Sequence, residues 1–302
     1  MDWSRLTLTE GKAVIAAPCV DVVAFSSEPP TAAGAKGFDR FLRTFAGRFG
    51  DRLTFYRTGD MKKYRGVDGR TLDAPYHWFT DVKVLSKKML ALLAHSGEAE
   101  GRAMPPALEL MLWGFDTPPQ FAFRMALPVE TADKPDALVK FVQDALADFP
   151  LAHGFCGYSF TWDQMSVDAE AKEWAGPLLL RHPGLNYGSV SALSRAASSG
   201  VVAVSWLTFL GPEISEELGG QKALAKAAPT GVSVLPLGKG GVLLRAGKQP
   251  ELGDVNRRER LPLYRAVGRL VSPRRASDEE LEDLNIQGMS DEAAIDWLRR
   301  FF

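Results

Sequence analysis

Side chains able to do chemistry are few in this sequence, and they are scattered. There are four histidines, His77, His95, His153 and His182, and two cysteines, Cys19 and Cys156. A metal site needs such ligands clustered at short, regular spacing, and no H-E-x-x-H or paired C-x-x-C pattern occurs. The cysteines read as two small buried side chains, and such sparing use of cysteine suits a reducing compartment. A nucleophilic serine needs a strained turn and an oriented base. Ser159, in C-G-Y-S-F, lacks the G-x-S-x-G setting. His77, between Tyr76 and Trp78, reads as a packed histidine with one hydrogen bond. The turn P-L-G-K-G-G at 236–241 is tempting as a phosphate loop, but it lacks G-x-x-x-x-G-K-[ST], no helix follows it directly, and it reads as a hairpin turn.

Charged residues gather in short runs. Lys62, Lys63 and Arg65 form a small basic group that reads as a solvated strand edge. Arg265 and Arg269 stand one helical turn apart, as a solvated face or as a contact for an acidic partner or phosphate. Acidic runs are Glu213/Glu216/Glu217 and Asp278–Asp283. Over the whole chain 36 basic residues face 37 acidic ones, for a formal net charge of −1. That balance excludes a general nucleic-acid binder with a basic excess and a DNA mimic built of massed carboxylates.

The 302 residues are 46% hydrophobic and 24% charged, enough apolar material for a sizeable core. No apolar run approaches the roughly 20 residues that span a bilayer, and M-D-W-S-R-L-T-L-T-E has no signal-peptide pattern. These features lead to the expectation of a soluble cytoplasmic protein.

The elements that would position these residues alternate between strand and helix patterns. Residues 12–25 read as one strand broken at Pro18 or as two short ones. A Pro/Ala/Gly loop leads to a helix over 37–49, with Phe38, Phe41, Leu42, Phe45 and Phe49 as a core stripe. A strand follows at 52–57. The spacing of Val82, Leu85, Met89, Leu92 and Leu93 predicts a helix over 81–94. Segments 108–113 and 120–127 pair as a hairpin, Asp133 caps a helix over 134–149, and 151–162 returns as a strand. A helix covers 169–180. Residues 201–210, nearly all apolar, read as a central strand. Helices at 212–218 and 220–228 precede a hairpin of 232–237 with 241–246. Gly253-Asp254 makes a turn, Pro262 starts a helix to 272, and Ser290 caps a last helix carrying Trp297, Phe301 and Phe302. The fold class is α+β: a mixed, largely antiparallel sheet system with helices packed on it, as one compact body of two related subdomains. The main domain would run over 1–275, with subdomain boundaries near 96–105 and 185–200. Residues 276–302 would add a charged segment and a terminal helix.

One dense stretch carries more than fold information. R-H-P-G-L at 181–185, V-S-W-L-T-F-L-G-P at 204–212, L-G-G at 218–220 and L-G-K-G-G-V-L-L-R-A-G at 237–247 lead to P-E-L-G-D-V-N-R-R-E-R-L-P-L-Y-R-A-V-G-R-L-V-S-P at 250–273. In combination these pieces resemble the bacterial immunity proteins of type VI secretion. The likeness covers most of the chain and is densest in its last third. The resemblance implies a cytoplasmic antidote that binds a cognate effector, notably a nuclease of the VRR or restriction-endonuclease type. It implies no catalytic residue, cofactor or metal, and no direct contact with nucleic acid or membrane. Trp206, Gly253, Asp254, Arg257, Pro262, Tyr264 and Arg265 are the signature positions, and their chemistry is that of turns and helix starts. A nuclease's DNA cleft is typically basic, so Glu213, Glu216, Glu217, Asp278, Glu279 and Glu280 are the expected toxin contacts. Two other readings stay open. An enzyme would need His77, His153 or His182 to converge with carboxylates in a pocket. A self-assembling scaffold would bury the Trp297/Phe301/Phe302 helix in a symmetric dimer.

Overall fold

The alternation of small and β-branched residues from Ala13 to Ser26 produces a single strand that runs through the middle of the molecule. Pro18 does not break it. On one side this strand pairs continuously with His153–Trp162. On the other, its partners are Leu8–Glu10 along Ala13–Ala16 and Gln120–Leu127 along Val20–Ser26. Pro18 falls in the gap between those two partners, where a missing N–H donor costs no ladder bond.

The computed structural model describes residues 2–26, 28–87, 89–114, 116, 119–188, 190–281 and 289–302. The strands are β1 (Leu8–Glu10), β2 (Ala13–Ser26), β3 (Phe55–Thr58), β4 (Arg65–Gly66), β5 (Met89–His95), β6 (Ala107–Trp113), β7 (Gln120–Leu127), β8 (His153–Trp162), β9 (Leu207–Leu210), β10 (Val232–Leu237) and β11 (Gly241–Ala246). The helices are α1 (Ala32–Phe49), α2 (Asp73–Thr80), α3 (Val82–Leu85), α4 (Pro135–Leu146), α5 (Asp168–Arg181), α6 (Val190–Ser194), α7 (Pro212–Glu217), α8 (Gly220–Ala227), α9 (Pro262–Val271) and α10 (Asp291–Leu298).

All eleven strands belong to one sheet, ordered β10-β11-β9-β8-β2-β7-β6-β5-β3-β4, with β1 paired to β2. Every strand pair is antiparallel. This is the expected α+β body, built on one continuous sheet. Residues 96–105 join the neighbouring strands β5 and β6, and 185–200 lead from α5 toward β9.

Each sheet face has its own apolar layer. The phenylalanine stripe of α1 packs on one, with Phe38 centred 4.9 Å from Phe123 and 5.0 Å from Phe121. Leu138, Phe141 and Val142 of α4 join the same cluster. On the other face, Val23, Phe25, Phe155 and Phe160 meet α5, α6 and the terminal Trp297 and Leu298.

Three expectations are corrected. The helix expected over 81–94 is a short α3 followed by strand β5. Leu90, Leu92 and Ala94 alternate into the core, and pairing with β3 and β6 overrides the helical spacing. The strand expected over 201–210 pairs only from Leu207 to Leu210. Ser205 turns the chain aside: its N–H donates to Thr208 Oγ1 and its hydroxyl to the Cys156 carbonyl. Asp133 does not cap α4. It closes a 3-10 turn, Lys134 holds the cap position without a side-chain bond, and Pro135 starts the helix.

Candidate functional site

The signature pieces, far apart in sequence, meet in space. Arg181, at the end of α5, donates to the Asp254 carboxylate through Nη2 at 2.8 Å and Nε at 3.2 Å. His182 Nδ1–H donates to the Gly253 carbonyl at 2.7 Å, and Gly184 N–H to the Leu252 carbonyl at 2.7 Å. Gly253 has φ +65°, a left-handed turn that suits glycine, and Asp254 also accepts from Asn256 N–H. A Cβ on Gly184 would stand 1.9 Å from the Glu251 carbonyl, so only glycine admits this approach. The Arg181 bond, with the Asn256 amide, holds the Asp254 carboxyl down at about 2.

The other signature residues divide between core and surface. Trp206 is fully buried, donates to the Gly247 carbonyl at 3.3 Å, and lies under the Arg245 guanidinium. Tyr264 is buried, and its hydroxyl accepts from Glu251 N–H at 3.0 Å. Pro262, Arg257 and Arg265 are exposed.

This junction borders a groove of about 940 Å³. Trp3 and Tyr158, both in its lining, contact with ring centres 4.9 Å apart. Its charged lining sets Arg5, Arg181, Arg257 and Arg260 among the carboxylates of Asp2, Asp133, Glu251, Asp254 and Glu259. Arg5 pairs with Asp2 and Arg181 with Asp254.

The acidic residues expected at the toxin contact are partly matched from within. Glu217 lies 2.5 Å from Arg274, and Asp278 pairs with Arg299 and, at 3.8 Å, with Arg275. The adjacent Arg274 and Arg275 thereby draw the two acidic stretches toward each other. Glu213, Glu216, Glu279 and Glu280 have no ion pair among the described residues, and the first three are exposed. Glu282 and Asp283 lie outside the described residues.

A third arrangement has no sequence signal. In mid-sheet, Arg124 of β7 donates to Asp21 of β2 at 3.0 Å and to the Phe160 carbonyl at 2.6 Å, and lies 3.6 Å from Glu109 of β6. All three charged residues are buried. Burial pushes the Glu109 carboxyl up to about 7 against the pull of Arg124, with Asp21 adding to the rise. Beside them Tyr64 donates to Asp163 at 2.7 Å, and His95 Nδ1 accepts from Gly97 N–H. The cavity these residues enclose is about 30 Å³, the size of a water site.

The histidines do not converge. His77 is exposed on α2, which corrects the packed reading. His153 is buried in β8, donates to the Phe209 carbonyl, and is pushed down to about 4 by burial. Burial lowers His95 likewise, to about 4. Among the described residues no group of three His, Cys, Asp or Glu could hold a metal ion, and no helix is long and apolar enough to cross a membrane. The terminal helix folds back on its own chain: Trp297 Nε1–H donates to the Leu179 carbonyl at 2.9 Å. Arg300 donates to the Pro183, Trp297 and Leu185 carbonyls.

A broad antiparallel sheet, an interlocked signature loop and a wide groove describe an α+β protein. The family is given by comparison. A family model described as type VI immunity for VRR-NUC (TsiV) matches residues 35–301, and the chain belongs to that family. Among solved structures, the Pseudomonas aeruginosa T6SS protein PA0821 shares the fold, with a TM-score of 0.80 and 17% identity over 96% of this chain and 83% of that one. No curated protein matches.

Proposed function

We propose that this immunity protein acts in the cytoplasm by binding a cognate VRR-NUC effector and covering its DNA-binding or catalytic surface. The family match over residues 35–301 is the observation that carries the reading. The geometry supports a binding role. The most strongly interlocked residues, Arg181, Asp254, Gly184 and Tyr264, fix a loop at the surface, and rigid loops lose little entropy on association. The scattered histidines supply no base for a nucleophile. A stable complex needs about 800 Å² from each partner, which one side of a body this size supplies readily. Co-expression in a test bacterium checks the proposal. The effector alone should stop growth, and this chain should restore it and copurify with the effector. Killing that this chain does not relieve would end the proposal.

A further inference from the structure

We infer that the cavity beside Arg124 is a water-binding site, in which one or two ordered water molecules complete the hydrogen bonds of Glu109, His95 and Asp163. The inference goes beyond the immunity reading and does not depend on it.

Strand register builds the site. Leu93, Glu109 and Arg124 stand opposite one another on β5, β6 and β7, and so do His95, Ala107 and Ala126. Alternate residues of a strand share a face, so both rows lie on the same side of the sheet. The two alanines are too short to fill the space beside the longer polar side chains, and a cavity of about 30 Å³ is left. That is room for one or two waters. Glu109, His95 and Asp163 all line it and are only 5%, 2% and 1% exposed. Each has a polar atom with no hydrogen-bond partner among the described residues: Glu109 Oε1, His95 Nε2 and Asp163 Oδ2. Native proteins rarely leave a buried polar atom bare, because the hydrogen bonds it made to water in the unfolded chain are lost without replacement.

The remaining atoms of these groups fix what the site takes. Glu109 Oε2 lies 3.6 Å from Arg124 and 3.5 Å from Gln164 Nε2. Asp163 Oδ1 accepts from the Tyr64 hydroxyl. His95 Nδ1 accepts from Gly97 N–H, and burial keeps the ring neutral, so its proton sits on Nε2. The site therefore offers two carboxyl oxygens and one N–H donor. Water donates twice and accepts twice, and so meets all three. An ammonium ion only donates and leaves the His95 N–H unmet, and an anion would face two carboxyl groups. Among the described residues no group of His, Cys, Asp and Glu could hold a metal ion. Glu109, raised to about 7, carries its proton in about half of the molecules at neutral pH. Water suits both forms, since it accepts from the acid as readily as it donates to the carboxylate. In the sheet β7 and β2 separate β6 from β8. The waters join Glu109 of β6 to Asp163, just past β8, where no ladder bond runs.

Oxygen-17 relaxation dispersion counts the waters that a protein holds inside for longer than it takes to tumble. A chain of this length buries on the order of ten, so the count is read by difference. A107V fills the space opposite His95 and should lower the count by one or two relative to wild type. A folded A107V with an unchanged count overturns the inference. If A107V does not fold, a high-resolution crystal structure of the wild-type chain decides. Solvent density about 2.6–3.2 Å from at least two of Glu109 Oε1, His95 Nε2 and Asp163 Oδ2 is the expected result. A cavity without density overturns the inference, as does density that strengthens when the crystal is soaked in rubidium chloride, which would assign the site to a cation.

Discussion

Arg181 and Asp254, 73 positions apart, form a two-point ion pair that joins the end of α5 to the Gly-Asp turn. The pair has a definite pH signature. A carboxyl lowered to about 2 from its ordinary 3.8 adds stability that is present above 3.8 and is lost as pH falls toward 2. D254N should therefore melt lower at neutral pH, and the gap from wild type should close as the solution is acidified across that window. A gap that stays constant would show that the pair contributes nothing through its charge.

Arg124 sits between two buried carboxylates. R124M strands both of them and should cost about 3–5 kcal/mol, read from urea denaturation. Replacing the whole set, D21N/E109Q/R124M, should cost less than R124M alone, because the stranded charges go with it. Equal losses would mean that the pairing is incidental.

Glu109 works in the opposite direction from Asp254. Its folded pKa of about 7 lies above the ordinary 4.5, so between those values the folded chain holds a proton that the unfolded chain releases. Stability from this group falls as pH rises through that window and is level above it. His95 and His153, lowered to about 4, favour folding as pH rises from 4 to 6.5, so the group is isolated only by difference. E109Q should gain on wild type as pH rises from about 4.5 to about 7. No change in the difference across that range would place the shift elsewhere.

The reach of the sequence can be judged element by element. The hairpin β10–β11 was legible because Gly238 and Gly240 punctuate two alternating runs, and the structure keeps the expected bounds. The α1 stripe was legible because five apolar residues share one helical face, although the helix starts earlier, at Ala32, behind a Thr31 cap. β5 was not, since Val82, Leu85 and Met89 fit a helix while Leu90, Leu92 and Ala94 fit a strand. Only pairing with β3 and β6 decides between them. The Asp21–Arg124–Glu109 set is invisible in the sequence. Each is a lone charge in an apolar strand, and strand register alone brings them together. The turn chemistry of Gly253 and Asp254 was readable, but its lock onto Arg181 and His182 depends on contact across the fold.

The end of the chain is held by close backbone approach. A Cβ on Gly268 of α9 would stand 1.9 Å from the Phe301 carbonyl. G268A should release α10, speed hydrogen exchange at its amides, and cost on the order of 2 kcal/mol or more. Exchange at α10 matching wild type would show that the helix is held without this contact.

The central claim is neutralisation of a VRR-NUC effector by direct cover of its working surface. The most direct measurement titrates this purified chain into the purified effector while DNA binding and DNA cleavage are followed together. The account predicts that both fall in parallel and reach zero near one immunity protein per effector. Cleavage that persists with the complex fully formed, or a chain that never binds the effector, would contradict it.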